Sequence, residues 1–198
     1  MLYPKPQIYH PLNAIFIHVP KTAGTSIEKQ LAERCGIEVG GHTTALAFRR
    51  AFAQEFATYF KFSVVRDPLD RFVSAFRYLR TEPVHPAHAN EIIHRLDSID
   101  AFIASVRRDP AGMKSIVHLM PQHQFVCDAS GIVLVDRLYR FEALEDAWKD
   151  ISRRLNLGAL PLPKMNASLL PMSDALRSEN IRAFVREKYA DDYRILKY

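Results

Sequence analysis

The sequence predicts an α/β fold in which a central, mainly parallel sheet is flanked by helices. Short apolar runs rich in β-branched residues, which are typical of buried strands, alternate along the chain with segments of helical periodicity. Such alternation favours a parallel sheet covered on both faces. The length of 198 residues, 48% of them hydrophobic and 25% charged, suits a single globular domain over residues 1–198.

The first predicted strand is AIFIHV, residues 14–19, and the turn PKTAGTS follows it. A helix is then predicted from Ile27, with Gly36 placed to end it. Helical spacing puts Ile27 and Leu31 on one face, and we expect Glu28 to face solvent.

Three more helices and a second strand are predicted in the next part of the chain. Residues 44–60 have helical spacing, and the apolar run 61–66 that follows them is typical of a strand. Asp67 and Pro68 predict a turn into a helix that includes residues 69–80. A further helix is expected around residues 98–107.

The last part of the chain predicts further strands and two helices. Residues 125–142 indicate a strand, a turn at 128–131 and one or two more strands. A helix over 144–155, a proline-rich loop and a final helix over 173–189 complete the sequence.

Charge and composition narrow the class of function. Lys and Arg outnumber Asp and Glu by 27 to 22, a net charge of +5, which favours an anionic ligand. The chain has no long block of Lys and Arg, so nucleic acid binding is not predicted. No apolar run approaches ~18 residues, so no membrane span is predicted.

The two cysteines and the N-terminus indicate the compartment. Cys35 and Cys127 have no CxxC neighbour, so neither a disulfide framework nor a zinc site is expected. The histidines also lack metal-ligand spacing with a carboxylate, and no metal is predicted. The first 14 residues contain no apolar signal core, and a cytoplasmic location is expected.

The segment PKTAGTS between a strand and a helix has the features of a phosphate cradle. Gly24 lets the backbone bend toward a ligand, and N–H groups at a helix start point at an anion. Lys21 adds a positive charge, and hydroxyl donors come from Thr22, Thr25 and Ser26. The lysine precedes the glycine, so this is not the nucleotide triphosphatase loop. An ordinary capped turn is the alternative.

A second motif is VVRDPLDRFVSAF, residues 64–76. Arg66 ends a predicted strand, and Ser74 follows it by eight positions on the next helix. Both side chains reach one phosphate if the turn folds back, because arginine grips phosphate in a bidentate manner and serine completes the shell. A helix start with surface arginines is the alternative.

With these two motifs the chain resembles the sulfotransferases that use 3′-phosphoadenosine 5′-phosphosulfate (PAPS). It is most similar to short bacterial-type members of the carbohydrate-type (family 2) branch. The resemblance implies a P-loop-like three-layer α/β/α fold and transfer of a sulfuryl group to an acceptor hydroxyl, on a carbohydrate or glycoconjugate. The product of the donor would be 3′,5′-adenosine bisphosphate.

The resemblance assigns roles to residues of both motifs. Lys21 matches the lysine that contacts the 5′-phosphosulfate and stabilises the departing bridging oxygen. Arg66 and Ser74 match the pair on the 3′-phosphate, which ATP and ADP lack. The residues that match the loop around the 5′-phosphate are Thr22, Ala23, Gly24, Thr25 and Ser26.

A third segment of the resemblance lies near the C-terminus, in LPLPKMNASLLP. Asn166 and Ser168 are assigned there to the donor. Many relatives carry a lysine between these two positions, where this chain has Ala167. Either Lys164 substitutes for that basic residue, or the contact is absent.

The catalytic base implied by the resemblance is His42, in GGHTTA, because related 2-O-sulfotransferases place a histidine in this interval. A neutral imidazole suits the removal of a hydroxyl proton. Glu28 is the alternative, since other branches use a glutamate soon after the lysine loop. His18 is expected to be a packed histidine. Candidates for the acceptor cleft are His85, His88, His94, His118 and His123.

Two rival functions stay open at this point. A kinase with a similar loop would require magnesium and ATP. A non-catalytic module would bind the adenosine bisphosphate tightly and sulfate no acceptor.

Overall fold

The structure is a computed structural model that describes residues 2–81, 96, 98–110, 116–158, 160–161 and 178–198. Its contacts divide into two compact units. The first unit comprises Met1–Arg66 and Gln122–Ala167, and the second comprises Asp67–Pro121 and Ser168–Tyr198. The single domain over residues 1–198 stays a prediction.

The first unit contains a four-stranded sheet. Its strands are β1 (Ile8–Tyr9), β2 (Ala14–Ile17), β3 (Phe60–Val65) and β4 (Arg137–Arg140), in the spatial order β1-β2-β3-β4. β2, β3 and β4 are parallel, and only β1 runs antiparallel to its neighbour. The predicted mainly parallel sheet is therefore confirmed.

The described helices, in chain order, are α1 (Gly24–Cys35), α2 (Ala45–Ala51), α3 (Ala53–Thr58), α4 (Pro68–Thr81), α5 (Ile99–Arg108), α6 (His123–Val126), α7 (Leu144–Arg154), α8 (Glu179–Lys188) and α9 (Ala190–Leu196). Short 3₁₀ turns occur at His10–Leu12, Val117–Leu119 and Phe141–Ala143. Within the described ranges, no helix is long and apolar enough to span a bilayer.

Helices cover both faces of the sheet. Alternation along β3 places Phe62 and Val64 on one face, and α1 and α7 bury their apolar residues there. Lys61 belongs to the opposite face, where its ammonium lies 5.5 Å from the centre of the Phe56 ring on α3. The sheet thus lies between two helical layers, which confirms the predicted α/β/α arrangement. The residues packed into this core from α1, from α7 and from the position directly after α7 are Ile27, Leu31, Trp148, Ile151 and Leu155.

The second unit is helical in its described part and has an aromatic core. Stacked and tilted rings of Phe72, Phe102 and Phe184 lie at its centre. Arg71 is 1% exposed there, and its guanidinium donates to the carbonyls of His118 and Met120, at 3.2 and 2.7 Å. Arg71, in the middle of the second motif, therefore joins α4 to the backbone of residues 118–120 inside this unit.

Neither β1 nor α9 was predicted, and the helix predicted from Ile27 begins at Gly24. Two longer stretches also differ from the predicted elements. The helix predicted over 44–60 is split at Phe52, whose φ of −135° is not helical, and Phe60 already belongs to β3. The strand predicted from residue 125 is wrong, because His123–Val126 is a helical turn and Cys127 forms only an isolated bridge with Val133. A short apolar run cannot be assigned to strand or helix by periodicity alone.

Candidate functional site

The lysine loop (residues 20–26) connects the end of β2 to the start of α1. Lys21 and Ala23 adopt left-handed backbone conformations, with φ of 69° and 65°. Left-handed residues in a turn direct successive N–H groups into a concave surface that accepts anions. α1 begins at Gly24, and the N–H groups of Ser26 and Ile27 donate to the Ala23 carbonyl, at 3.1 and 3.4 Å. The N–H groups of Gly24 and Thr25 come before them at the helix start, where a helix binds anions. The loop thus combines two left-handed residues with a helix start, and its binding of a phosphate stays a prediction.

The three hydroxyl groups of the lysine loop have different surroundings. Thr22 is fully buried, and its hydroxyl donates to the carbonyl of Val19 at 2.8 Å. The hydroxyl that the sequence analysis counted as a donor to an anion therefore donates within the loop instead. Ser26 is buried, whereas Thr25 is exposed at the start of α1.

Arg66 at the end of β3 reaches the lysine loop. Its Nη1 lies 3.5 Å from the carbonyl oxygen of Lys21, and its guanidinium stacks 4.2 Å above the centre of the Phe141 ring. Arg66, from the part of the second motif that belongs to the first unit, therefore lies beside the first motif. Their roles toward a ligand stay predictions.

Gln122 fixes the backbone of Arg66. The Arg66 N–H donates to Gln122 Oε1 at 3.0 Å, and Gln122 Nε2 donates to the Arg66 carbonyl at 2.7 Å. The Gln122 side chain is completely buried. Sequence analysis missed this clamp, because nothing in the sequence pairs a glutamine with a residue 56 positions away.

Ser74 lies half-buried on α4, in the second unit. α4 begins as predicted, because Asp67 Oδ1 accepts from the N–H groups of Leu69 and Asp70, both at 2.9 Å. Arg66 and Ser74 belong to different units, and a phosphate site that they share stays a prediction.

Several predicted residues lie outside the part of the chain that the structure describes. Asn166 and Ser168, with the neighbouring Lys164 and Ala167, fall there. So do three of the histidines named for the acceptor cleft, namely His85, His88 and His94.

His42 lies beside the end of β2, close to the lysine loop. Its ring meets the His18 ring edge-on, with 4.4 Å between the ring centres. Nδ1 of His42 is 3.1 Å from the backbone carbonyl of His18. Because a carbonyl only accepts, Nδ1 carries the hydrogen and Nε2 holds the lone pair of the neutral ring. This is the tautomer that a proton acceptor at Nε2 requires.

Glu28 points inward, so the prediction that it faces solvent is wrong. Its side chain is 13% exposed, and Oε1 accepts from His18 Nδ1 at 2.8 Å. Gln7 Nε2 donates to the same oxygen and to the carbonyl of Gly41, both at 2.7 Å. The physical reason is the helical repeat: Glu28 follows Gly24 by one turn, on the side of α1 that faces His18. Gln7, His18, Glu28 and the Gly41 carbonyl thus form one hydrogen-bonded network.

Two glycines permit the close approaches around this network. A Cβ at Gly24 would lie 2.0 Å from Cδ2 of His18. A Cβ at Gly41, whose φ is +85°, would lie 2.2 Å from the ring of Tyr3. The His18 ring thus leaves no room for a side chain at position 24, which is a second reason for glycine there besides its predicted approach to a ligand. The prediction that His18 is packed is confirmed, since it is 6% exposed.

Tyr9 and Cys35 near α1 are not suited to accept a proton from a substrate. Burial, with a smaller contribution from the Glu28 carboxylate and from Cys35, raises the pKa of Tyr9 well above its ordinary value. Burial also raises the pKa of the Cys35 thiol. Both groups are therefore protonated near neutral pH.

A groove of about 460 Å³ borders the lysine loop. Thr25 and Glu28 line it, together with Lys5, Lys29 and Glu38. Its wall thus offers both cationic and carboxylate groups to a polar molecule. Among the described residues, no group of three or more His, Cys, Asp or Glu side chains is placed to hold a metal ion.

The left-handed conformation of Ala23 gives a stability prediction. Ala23→Gly should raise the free energy of unfolding by about 0.5–1 kcal/mol, because glycine adopts this conformation without a Cβ clash. Ala32→Gly, in the middle of α1, is the matched control and should lower it by about 1 kcal/mol. Chemical denaturation of both variants measures the difference. Equal destabilisation by both variants would contradict this account of the loop.

The clamp on Arg66 gives a second prediction. Gln122→Ala should lower the free energy of unfolding by about 1–3 kcal/mol, because it leaves backbone groups of Arg66 without their partners. Gln124→Ala, two residues away and exposed, should change it by less than about 0.5 kcal/mol. Urea unfolding of both variants measures these changes in the free energy of unfolding. A Gln122→Ala variant as stable as Gln124→Ala would contradict the role of the clamp.

The comparisons with known proteins identify the family. Residues 10–198 match the Sulfotransferase family, family 2, so the match covers nearly the whole chain. No curated protein and no solved structure matches the chain. The chain is a member of the Sulfotransferase family, whose enzymes transfer a sulfuryl group from a nucleotide donor to an acceptor substrate.

Proposed function

We propose that this enzyme is a PAPS-dependent O-sulfotransferase that acts on a hydroxyl of a carbohydrate or glycoconjugate. The observation that carries the proposal is the meeting of Arg66 with the lysine loop, where Nη1 is 3.5 Å from the Lys21 carbonyl. A helix N-terminus, a lysine and an arginine at one location suit a ligand that carries two separate phosphate groups.

The donor would be held at both ends. The N–H groups at the start of α1, with Lys21, Thr25 and Ser26, would bind the 5′-phosphosulfate. Arg66, stacked on Phe141 and clamped by Gln122, would bind the 3′-phosphate, and the resemblance adds Ser74 to it. A rigid guanidinium loses little freedom when it binds, which favours affinity.

In the reaction, His42 Nε2 would accept the proton of the acceptor hydroxyl. The acceptor oxygen forms a bond to sulfur, and the bond from sulfur to the bridging oxygen breaks. The electron pair of that bond stays on the 5′-phosphate oxygen, where Lys21 stabilises the charge. Most of the rate enhancement comes from positioning the two substrates and from the positive charge close to the leaving oxygen, as in phosphoryl transfer.

The groove beside Thr25 is proposed to hold the part of the acceptor away from the reacting hydroxyl, because His42 is not among the residues that line it. Its lysine and glutamate side chains supply both donors and acceptors of hydrogen bonds, which suits a molecule rich in hydroxyl groups. A screen with radiolabelled donor across glycan and small-molecule acceptors identifies the class.

Binding of 3′,5′-adenosine bisphosphate tests the donor. Arg66→Ala should weaken this ligand by about 10–100-fold, the range of a hydrogen bond to a charged group. The same variant should weaken 5′-AMP by less than about threefold, because 5′-AMP has no 3′-phosphate. Thermal-shift and calorimetric titrations measure both, and Arg50→Ala, an exposed arginine on α2, is the control. Equal affinity of the native protein for both nucleotides would overturn the proposed donor.

Turnover of labelled donor tests the catalytic residues. His42→Ala should lower kcat by about 10²–10⁴-fold, the usual contribution of a general base, and change the affinity for the bisphosphate by less than about threefold. Lys21→Ala should lower kcat by about 10²-fold or more. His10→Ala, an exposed histidine paired with Tyr59, is the control. Native turnover by His42→Ala would refute the assignment of the base.

A further inference from the structure

We propose that Glu28 is a positioning residue for His42: it fixes the ring of His18 and, through Gln7, the backbone that carries His42. This inference rests on the proposed function, in which His42 accepts the proton of the acceptor hydroxyl. It assigns to Glu28 a role distinct from that of the base itself.

The first connection from Glu28 to His42 passes through His18. Glu28 Oε1 accepts from His18 Nδ1 at 2.8 Å, which fixes the plane of the ring and the nitrogen that carries the hydrogen. The ring of His18 then meets the ring of His42 with 4.4 Å between centres. The carbonyl of the same His18 accepts from His42 Nδ1 at 3.1 Å. One residue therefore contacts His42 through both its side chain and its backbone.

The second connection passes through Gln7. Its Nε2 donates to Glu28 Oε1 and to the Gly41 carbonyl, both at 2.7 Å. Both partners only accept hydrogen bonds, so the orientation of the amide is fixed. Gln7 is fully buried, and water does not compete for these bonds. Since Gly41 directly precedes His42, Glu28 restrains the backbone of the base as well as its ring.

The two connections together select one tautomer of His42. A backbone held by Gln7 and a ring held against His18 keep Nδ1 on the His18 carbonyl. The lone pair is then at Nε2, the nitrogen assigned to the acceptor proton. Loss of Glu28 releases both restraints at once, so we expect the population of this tautomer to fall.

Glu28 also borders the groove beside Thr25, and it is the alternative base of the sequence analysis. The two roles predict different behaviour of Glu28→Gln. An amide oxygen at the position of Oε1 still accepts from His18 and Gln7, so a positioning role survives this change. A general base does not, because an amide takes up no proton near neutral pH.

Histidine nitrogen NMR of the full chain tests the arrangement without any acceptor. In the native protein His18 and His42 should both carry hydrogen at Nδ1, with His18→Ala and His42→Ala variants used to assign the signals. Glu28→Ala should replace the fixed tautomer of His42 by a mixture, whereas Glu28→Gln should retain it. Glu33→Gln, exposed on the same helix, is the matched control. An unchanged His42 tautomer in Glu28→Ala would overturn the proposal.

Kinetics with labelled donor and the acceptor found in the screen test the consequence. Glu28→Ala should lower kcat by about tenfold or more and change KM for the donor by less than about threefold. Glu28→Gln should keep a kcat at least about threefold above that of Glu28→Ala, because the amide oxygen still accepts from His18 and Gln7. In the His42→Ala background, Glu28→Ala should lower kcat by less than twofold, because the residue through which it acts is gone.

The outcomes separate this inference from the proposed function. Additive losses in the double variant, or a loss in Glu28→Gln as large as in Glu28→Ala, would make Glu28 an independent base and refute the positioning role. Failure of the proposed function would be detected by a different measurement, in which the protein binds the bisphosphate and 5′-AMP with equal affinity. The tautomer measurement still decides the arrangement in that case.

Discussion

The contact between the His18 ring and the backbone of Gly24 is the constraint around which the first unit is arranged. β2 ends just before His18, and α1 begins at Gly24, so this contact sets how the helix leaves the sheet. The chain between them must reverse within a few residues, and it does so with left-handed conformations at Lys21 and Ala23. The geometry that turns the chain is also the geometry that directs N–H groups at an anion.

Two buried glutamines hold the backbone at the two places where the proposed chemistry needs it. Gln122 exchanges two hydrogen bonds with Arg66, as a neighbouring strand would, and Gln7 joins Glu28 to the Gly41 carbonyl. Buried amides are costly unless paired. The Nε2 group of each glutamine donates to backbone beside a functional side chain, whereas Gln7 Oε1 is buried without a hydrogen-bond partner. Stability of the first unit and position of Arg66 and His42 therefore depend on the same bonds.

Sequence alone predicted the parts of the structure that depend on local pattern. The apolar run before PKTAGTS predicted β2, and the spacing of Ile27 and Leu31 predicted α1, although the strand ends earlier than predicted and the helix begins earlier. The split at Phe52 was missed, because both halves of residues 44–60 have helical spacing. Glu28 was assigned to solvent since its neighbours along the helix gave no sign of His18, which lies on a strand before the loop. Gln7 and Gln122 left no signal, because their partners are 34 and 56 positions away.

The inward turn of Glu28 resolves an electrostatic conflict at the site. A carboxylate close to the lysine loop opposes an incoming anion, and the effect grows where water is excluded. Here two hydrogen bonds, one from His18 and one from Gln7, converge on one carboxylate oxygen and stabilise its negative charge. The cationic groups of Lys21 and Arg66 belong to the loop and to the end of β3, where the donor is proposed to bind. The positive charges proposed to attract the donor are thus carried by Lys21 and Arg66. The negative charge proposed to order the base is carried by a different residue, Glu28 on α1.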